Sequence, residues 1–231
     1  MFKDREDAGR RLLKELERFR SENPLILAIP RGGVVIAHEM IKELAMEWDL
    51  IIPRKIGAPN NKEVAIGAVS YDGSYFTDKD YVAMLGISNR YIEEETAFQL
   101  DEIKRRMREY KGTDDFPNVR NRTVIIVDDG IATGFTILAA IKSVKKQGAN
   151  KVIIAVPVAP KDTVERLSKE VDEVICLEVP EEFYAVGMHY MNFSEVTEVE
   201  IAAIMNDLGE VDYAIQNGSY RYGWHPPYTG T

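Results

Sequence analysis

The pattern that most constrains the fold of this chain is an alternation of short, continuous apolar runs with amphipathic helical segments. Runs such as LILAIP (25–30) and KVIIAVPV (151–158) are apolar throughout, which is typical of strands that are covered on both faces. Segments with apolar residues at helical spacing lie between these runs. The order predicts an α/β fold, in which a mainly parallel sheet is flanked by helices on both faces.

The predicted elements follow this pattern along the chain. The strands are placed at 25–30, 48–53, 63–70, 123–129, 151–158 and 172–179. The helices are placed at 4–20, with Asp4 as a cap, at a segment carrying residues 37–44, and at 88–110, 136–147, 162–170 and 197–209, the last opening on a Thr197–Glu200 capping box.

The chain is predicted to form a single domain over residues 1–231. No internal repeat, low-complexity tract or convincing linker divides it, and its length suits one large domain. We expect a core of about 25–190, followed by a C-terminal helix and tail at 195–231. The last part, 216–231, is rich in Gly and Pro and should lack regular structure, yet it holds three tyrosines and Trp224. We therefore expect its aromatic residues to pack on the domain or across a homodimer interface.

Charge and cysteine content limit the class of protein. The chain has 29 basic and 38 acidic residues and a formal charge of −9, which disfavours general binding to nucleic acid or anionic membranes. The single cysteine, Cys176, excludes a disulfide framework and is expected to be a small buried residue in a reducing compartment. We see no signal peptide and no membrane-spanning run. We expect a cytoplasmic protein.

The stretch VIIVDDGIATGFT (124–136) carries the strongest chemical signal. A β-branched strand runs into Asp128 and Asp129, and a loop of small residues then leads into a helix. Ligands of open parallel sheets bind at the carboxyl ends of strands, and the N–H groups at a helix start can hold an anion. Thr133 and Thr136 add hydroxyl groups. Two carboxylates beside an anion site are explained if they bind hydroxyl groups, or a Mg²⁺ carried by a polyphosphate. A sugar phosphate meets both demands; the alternative is a turn and helix cap without a ligand.

No Walker A or Rossmann glycine motif is present in the sequence. Instead, the stretch resembles the phosphoribosyl-diphosphate (PRPP) motif of type I phosphoribosyltransferases, except that Gly130 stands where an aliphatic residue is more common. The resemblance implies that Asp128 and Asp129 bind the ribose 2′ and 3′ hydroxyls, with Mg²⁺ carried by PRPP nearby. It implies that the 5′-phosphate is bound by Ala132, Thr133, Gly134, Phe135 and Thr136.

Two further segments match the same family in order. AIPRGG (28–33) resembles its pyrophosphate loop, in which Arg31 supplies charge, Gly32 and Gly33 let the backbone approach the diphosphate, and a peptide is often cis. PRKIGAPNNKE (53–63) is similar to the start of the mobile catalytic loop of adenine phosphoribosyltransferase. That likeness implies that Arg54 and Lys55 act on the pyrophosphate and that residues 56–64 form a closing lid.

Two positions bear on the acceptor. VPEEFYAVGMHY (179–190) resembles the hood of the purine enzymes, which implies that Phe183 or Tyr184 stacks on the base; the alternative is that both belong to the core. Ala132 stands where enzymes for 6-oxopurines usually carry an aspartate, and this matches the adenine and orotate types. Glu63 or the hood could still supply an acid. His189 is left undecided, and His38 is expected to be structural.

The resemblance, over about 25–190, implies an enzyme of nucleotide metabolism. It would transfer the 5-phosphoribosyl group of PRPP to a nitrogenous base or related acceptor, release pyrophosphate and require Mg²⁺. The alternative is a non-catalytic regulator that keeps the fold as a PRPP or nucleotide sensor. Such regulators usually add a basic nucleic-acid-binding module, and no segment of the sequence offers one. The helix at 88–110 and the tail after 209 lie outside the common core of the family.

Overall fold

The computed structural model describes residues 1–208, together with the backbone of 214–216 and 219–221. Its α-helices are α1 Arg5–Leu16, α2 Gly32–Leu44, α3 Lys79–Met84, α4 Asn89–Lys111, α5 Phe135–Lys146, α6 Lys161–Leu167 and α7 Glu198–Asp207. Its strands are β1 Leu25–Ala28, β2 Glu47–Leu50, β3 Arg54–Ala58, β4 Asn61–Val69, β5 Tyr75–Thr77, β6 Thr123–Val127, β7 Lys151–Val158, β8 Glu173–Glu178, β9 Ala214–Gln216 and β10 Ser219–Arg221. Short 3-10 helices span Glu17–Glu22 and Val186–His189.

A five-stranded sheet in the order β2-β1-β6-β7-β8 forms the centre of the fold, and all of its pairs are parallel. Successive residues of a strand point to opposite faces. Accordingly, Ile26 packs in a core with side chains of α1, α2, α4 and α7, while Leu27 packs in a second core with side chains of α5 and α6. The predicted α/β fold with helices on both faces is confirmed.

The predicted strand at 63–70 exists but belongs to a different sheet. It lies within β4, which pairs antiparallel with β3 and β5 in a separate three-stranded sheet. The physical reason is the connection: Pro59 and Asn60 form a tight turn, which joins antiparallel strands, whereas a parallel pair needs a long crossover. The apolar run alone did not distinguish the two pairings.

The ends of the helices follow the local sequence signals. Asp4 caps α1 by accepting the N–H of Asp7 at 2.8 Å, and the capping box of Thr197 and Glu200 is formed at the start of α7. The predicted helix 4–20 is regular only to Leu16 and continues as a 3-10 turn. Cys176 is half-buried, and burial raises the pKa of its thiol to about 11, so the thiol is neutral.

Little of the tail predicted to pack its aromatics can be compared with the structure. Most of residues 216–231, with the side chains that carried the packing expectation, lie outside the described residues. The expected absence of regular structure was wrong for Ser219–Arg221, which pairs antiparallel with Ala214–Gln216. No helix within the described part of the chain is long and apolar enough to cross a membrane.

Candidate active site

The carboxyl ends of β1 and β6 open into a cleft of about 1130 Å³, which is also lined by the residues that follow β2. A second cavity of about 500 Å³ adjoins it and is lined by the loop after β6. Most of the predicted site residues meet here: the larger cleft is lined by Arg31, Gly32, Arg54, Lys55, Asp128, Asp129 and Thr136, and the smaller cavity by Lys55, Asp128, Ala132, Thr133, Gly134 and Thr136.

The two aspartates are adjacent in sequence but have different partners. The carboxylate of Asp128 accepts the N–H of Asp129 at 2.8 Å. Burial and the neighbouring charge of Asp129 raise the pKa of Asp128 well above its ordinary value. Asp129 instead accepts a hydrogen bond from Nε of Arg5 at 2.7 Å. Asp128 is therefore the carboxylate that an incoming cation or hydroxyl group can approach without displacing a protein cation.

Arg5, the first residue of α1, is a site residue that the sequence did not reveal. Its guanidinium lies 3.9 Å from the ring centre of Phe193 and donates to the carbonyl of Ser194 at 2.8 Å. Its side chain is only 11% exposed. Arg5 and Asp129 are 124 residues apart in the chain, so no local pattern could have paired them. The pair also means that Asp129 has a structural role, in addition to the ligand role expected of it.

The turn after β1 is pressed against the end of β6. A Cβ on Gly32 would lie 1.8 Å from a carboxylate oxygen of Asp129, and a Cβ on Gly33 would lie 2.6 Å from the carbonyl of Val127. Both glycines are therefore required by the approach of two strand ends, whatever ligand binds there. The peptide between Pro30 and Arg31 is cis, as the resemblance implied.

Arg31 faces the C-terminal segment. Its guanidinium hydrogen-bonds Glu195 and lies 3.8 Å from Glu198, two acids that are 76% and 65% exposed. Exposed ion pairs of this kind contribute little stability. An anion of higher charge in the cleft can therefore replace Glu195 and Glu198 as the partner of Arg31 with little loss of stability.

The loop Gly130–Thr136 is held from outside by α6. The hydroxyl of Thr163 donates to the carbonyl of Ala132 at 2.9 Å, and Arg166 donates to the carbonyl of Thr133. Gly134, with φ of +70°, precedes α5, whose first N–H groups have no acceptor within the helix. Phe135 is buried and packs on Phe76 at 5.5 Å between ring centres. Only the backbone of Phe135 can thus serve the predicted phosphate site.

Gly130, where the motif departs from the family pattern, has a packing reason. A Cβ there would lie 2.4 Å from a methyl carbon of Val186 and 3.0 Å from one of Val158. Val186 begins the 3-10 turn that lies within the predicted hood segment. The glycine lets this turn pack directly on the motif loop.

The predicted lid at 56–64 is part of the β3–β4 hairpin, and α4 contacts it through side chains. Nε of Arg54 donates to Oε1 of Gln99 at 2.5 Å, and the amide of Gln99 donates to Glu95 at 2.9 Å. Lys62 donates to Glu95 at 2.5 Å and to Tyr91 at 2.6 Å. Glu95 and Gln99 are 8% and 7% exposed. A paired strand with a nearly buried polar network differs from the expected loop, and closure of this hairpin as a lid stays a prediction.

The predicted base platform also differs from the structure. Neither Phe183 nor Tyr184 lines the cleft: Phe183 stacks on His189 at 5.5 Å between ring centres, and Tyr184 is 76% exposed. The N–H of Phe2 bonds the carbonyl of His189 at 2.8 Å, which ties this segment to the N-terminal residues. The aromatic side chains that line the cleft are Phe98, on α4, and Phe193. Outside the cleft, His38 bonds Asp207 at 2.6 Å, which agrees with a structural histidine.

A family model and several extended relatives match this chain. Residues 2–191 match the family model for the phosphoribosyl transferase domain. A Mycobacterium tuberculosis H37Rv protein, Rv0571c, whose name gives phosphoribosyl transferase only as a provisional function, is 38% identical over 215 residues. The match covers 93% of this chain and 48% of that protein, so the chain spans about half the length of the curated relatives it matches. The crystal structure of TT1426 from Thermus thermophilus aligns with a TM-score of 0.75 and 38% identity, over 90% of this chain and 99% of that one.

A shorter stretch of the chain is similar to a transcriptional regulator. The transcriptional regulator GfcR of Methanosphaera stadtmanae is 49% identical over 47 residues, which is 20% of this chain and 24% of that protein.

Proposed function

The chain belongs to the phosphoribosyl transferase domain family, and we propose that it transfers the 5-phosphoribosyl group of PRPP to a nitrogenous base or related acceptor. The observation that carries the proposal is the placement of Asp128 and Asp129 directly after β6, between the turn Pro30–Gly33 and the loop Gly130–Thr136. A sugar with a diphosphate at one end and a phosphate at the other matches this order of groups. Ribose hydroxyls would then meet the two carboxylates.

In the proposed reaction, the bond between C1′ and the diphosphate oxygen breaks, and its electron pair leaves with the diphosphate. A bond forms between C1′ and a nitrogen of the acceptor, which loses its proton. The protein must stabilise the negative charge that builds on the leaving group. Although the chain is acidic overall, the cleft is lined by six basic and five acidic residues, and Arg31, Arg54 and Lys55 are among the basic ones.

The aspartate pair suits a Mg²⁺ that arrives with PRPP. No group of three or more His, Cys, Asp or Glu residues that could hold a metal ion occurs in the described part of the chain. Mg²⁺ commonly takes one or two carboxylates and keeps water and substrate phosphates as its other ligands, and Asp128 with Asp129 fits that pattern. Bound there, the ion would neutralise charge on the diphosphate. Arg5 would hold the Asp129 carboxylate in place.

Acceptor binding is proposed at the part of the cleft lined by Phe98 and Phe193, in place of Phe183 and Tyr184. Glu63 lines both cavities and is the acid best placed to take the acceptor proton. Ala132 leaves the 6-oxopurine aspartate missing, so adenine-like or orotate-like acceptors remain favoured.

One experiment tests the proposal directly. The protein is incubated with PRPP and Mg²⁺, a panel of nucleobases and other nitrogen acceptors is added, and pyrophosphate release is followed. Release that depends on one acceptor, and that disappears in Asp128→Asn, is the expected result. No PRPP binding by calorimetry would contradict the proposal.

A non-catalytic sensor is the second candidate, and the local similarity to a transcriptional regulator favours it. A sensor would bind PRPP but release no pyrophosphate with any acceptor. The same experiment therefore separates the two candidates.

We also propose a cytoplasmic homodimer that binds neither nucleic acid nor membrane. Deleting residues 216–231 should lower the melting temperature or shift the protein toward monomer, as measured by sedimentation. A truncated protein that melts and sediments like the full chain would remove the tail from the proposed interface.

A further inference from the structure

Helix α4 presents one continuous polar stripe to the cleft. Glu95, Gln99 and Arg106 line the cleft at helical spacing, together with Phe98. The same side of the helix is anchored, because Ile92, Ile103 and Met107 are buried beside the stripe, and Ser88 caps the start of the helix. The stripe is therefore a fixed wall of the cleft.

Arg106 differs from Arg105, Arg108 and Lys111, which lie at the same end of the helix. Arg105 pairs with Glu102 and Glu109, Arg108 pairs with Asp114 at 2.5 Å, and Lys111 pairs with Asp49 at 2.6 Å. Arg106 is half-buried, lines the cleft, and has no ion pair among residues 1–208. A half-buried charge without a partner is unfavourable unless a ligand supplies one.

Arg54, on the hairpin that faces α4, likewise has a guanidinium group without an ion pair among the described residues. Gln99 holds its Nε, and in the described structure its terminal nitrogens have no acceptor. Burial, and then the charge of Arg106, lower the pKa of Arg54. The carboxylates near Arg54 are committed elsewhere, since Glu95 pairs with Lys62 and Glu102 with Arg105. Two guanidinium groups thus share one part of the cleft without a shared carboxylate.

We propose that α4 completes the diphosphate subsite, with Arg106 contacting the diphosphate directly and Gln99 acting as the positioning residue of Arg54. This inference rests on the proposed function. A closing lid normally brings cations to a leaving group. Here α4 lies against the hairpin, so Arg106 can add its charge to that of Arg54. The planar forks of Arg31, Arg54 and Arg106 suit bidentate contacts to phosphate oxygens.

Binding of two simple ligands tests the inference. Inorganic pyrophosphate and ribose 5-phosphate are titrated separately, with Mg²⁺, into the full chain and into Arg106→Gln. The matched control is Arg105→Gln, which removes the same charge from the neighbouring position but outside the cleft. Pyrophosphate should bind Arg106→Gln at least about 10-fold more weakly, because one charge-assisted contact is lost. Ribose 5-phosphate should bind all three proteins equally.

The failures are distinguishable. If the unmodified chain binds neither PRPP nor pyrophosphate, the proposed function fails. If it binds both, and Arg106→Gln retains its pyrophosphate affinity, α4 does not contact the diphosphate; a raised KM for the acceptor alone would then assign Arg106 to acceptor binding. If Arg106→Gln loses both ligands and Arg106→Lys recovers neither, the residue is structural, which also overturns the inference.

Discussion

The two walls of the cleft are built on different principles. The strand-end wall consists of the turn Pro30–Gly33 and the segment Asp128–Thr136, and each piece is contiguous in sequence. The helix wall consists of α4 and the β3–β4 hairpin, and its key contacts join Arg54 to Gln99 and Lys62 to Glu95, over 45 and 33 residues. One wall is shaped by backbone sterics, and the other by a network of side chains.

This difference separates binding from turnover. At the strand-end wall, Gly32 leaves no room for a side chain beside Asp129, so the geometry is set before any ligand arrives. At the helix wall, the direction of one guanidinium depends on Gln99, which in turn depends on Glu95. We therefore expect changes at the first wall to abolish PRPP binding, whereas changes to Arg54 or to its support by Gln99 should act mainly on rate.

The largest effect is expected from Asp128→Asn combined with Asp129→Asn. The double variant should lose PRPP binding altogether, because both carboxylates proposed to accept from the ribose hydroxyls lose their charge. Calorimetry measures the loss, and a melting curve checks the fold. Since Asp129 also holds Arg5, Asp128→Asn alone is the cleaner variant. Unchanged PRPP affinity in the double variant would assign the ribose to another part of the cleft.

Arg54→Ala tests the helix wall. Turnover should fall by on the order of 10²-fold or more, with a much smaller change in PRPP affinity, because a preorganised charge on the leaving group is lost. Arg108→Ala is the control, since Arg108 pairs with Asp114 and does not line the cleft. Normal turnover in Arg54→Ala would contradict the expectation that the helix wall acts on rate.

Gln99→Leu sharpens the comparison, because it leaves the charges of the cleft unchanged. It removes the oxygen that accepts from Arg54 and the amide that donates to Glu95. The side chains of Gln99 and Glu95 are both nearly buried. We expect turnover to fall about 10-fold and the free energy of unfolding to fall by about 1–3 kcal/mol. Steady-state kinetics and denaturant unfolding measure the two effects. Lost stability with normal turnover would mean that the network supports the fold without directing Arg54.

The smallest effect concerns stability and pH. The folded-state pKa of Asp128 is raised, so between its ordinary value near 4 and the raised value the folded state binds more protons than the unfolded state. The free energy of unfolding therefore falls as pH rises through that window. Asp128→Asn should melt higher than the unmodified chain at pH 7 without metal, by about 2–4 °C per kcal/mol of relieved repulsion.

The gain from Asp128→Asn should vanish as the pH approaches 4. The control is Asp114→Asn, because Arg108 lowers the pKa of Asp114, and this variant should show no gain. A lower melting temperature for Asp128→Asn at pH 7 would contradict the buried repulsion between the aspartates.

The features predicted correctly from sequence are those that are determined by residues close to them in the chain. The strand and loop at 124–136, the capping box at Thr197 and the cleft position of Arg31 follow from neighbouring residues. The sequence did not indicate which aromatic residues line the cleft, because Phe183 is one of several aromatic residues in its region. Packing of the segment on Phe2, far away in sequence, decided which ring faces the cleft. The pairing of residues 56–64 as a hairpin was missed because a polar loop and a polar hairpin have the same composition.

The sequence by itself determined the α/β architecture, the acidic pair at a strand end and the glycine-rich loops around it. Apolar periodicity and glycine placement act within a few residues, so they can be read along the chain. Only the tertiary structure decided that Arg5 holds Asp129, that Val186 requires Gly130, and that α4 faces Arg54. These contacts join segments that pack together because of the whole core, and a single side chain carries no local mark of its distant partner.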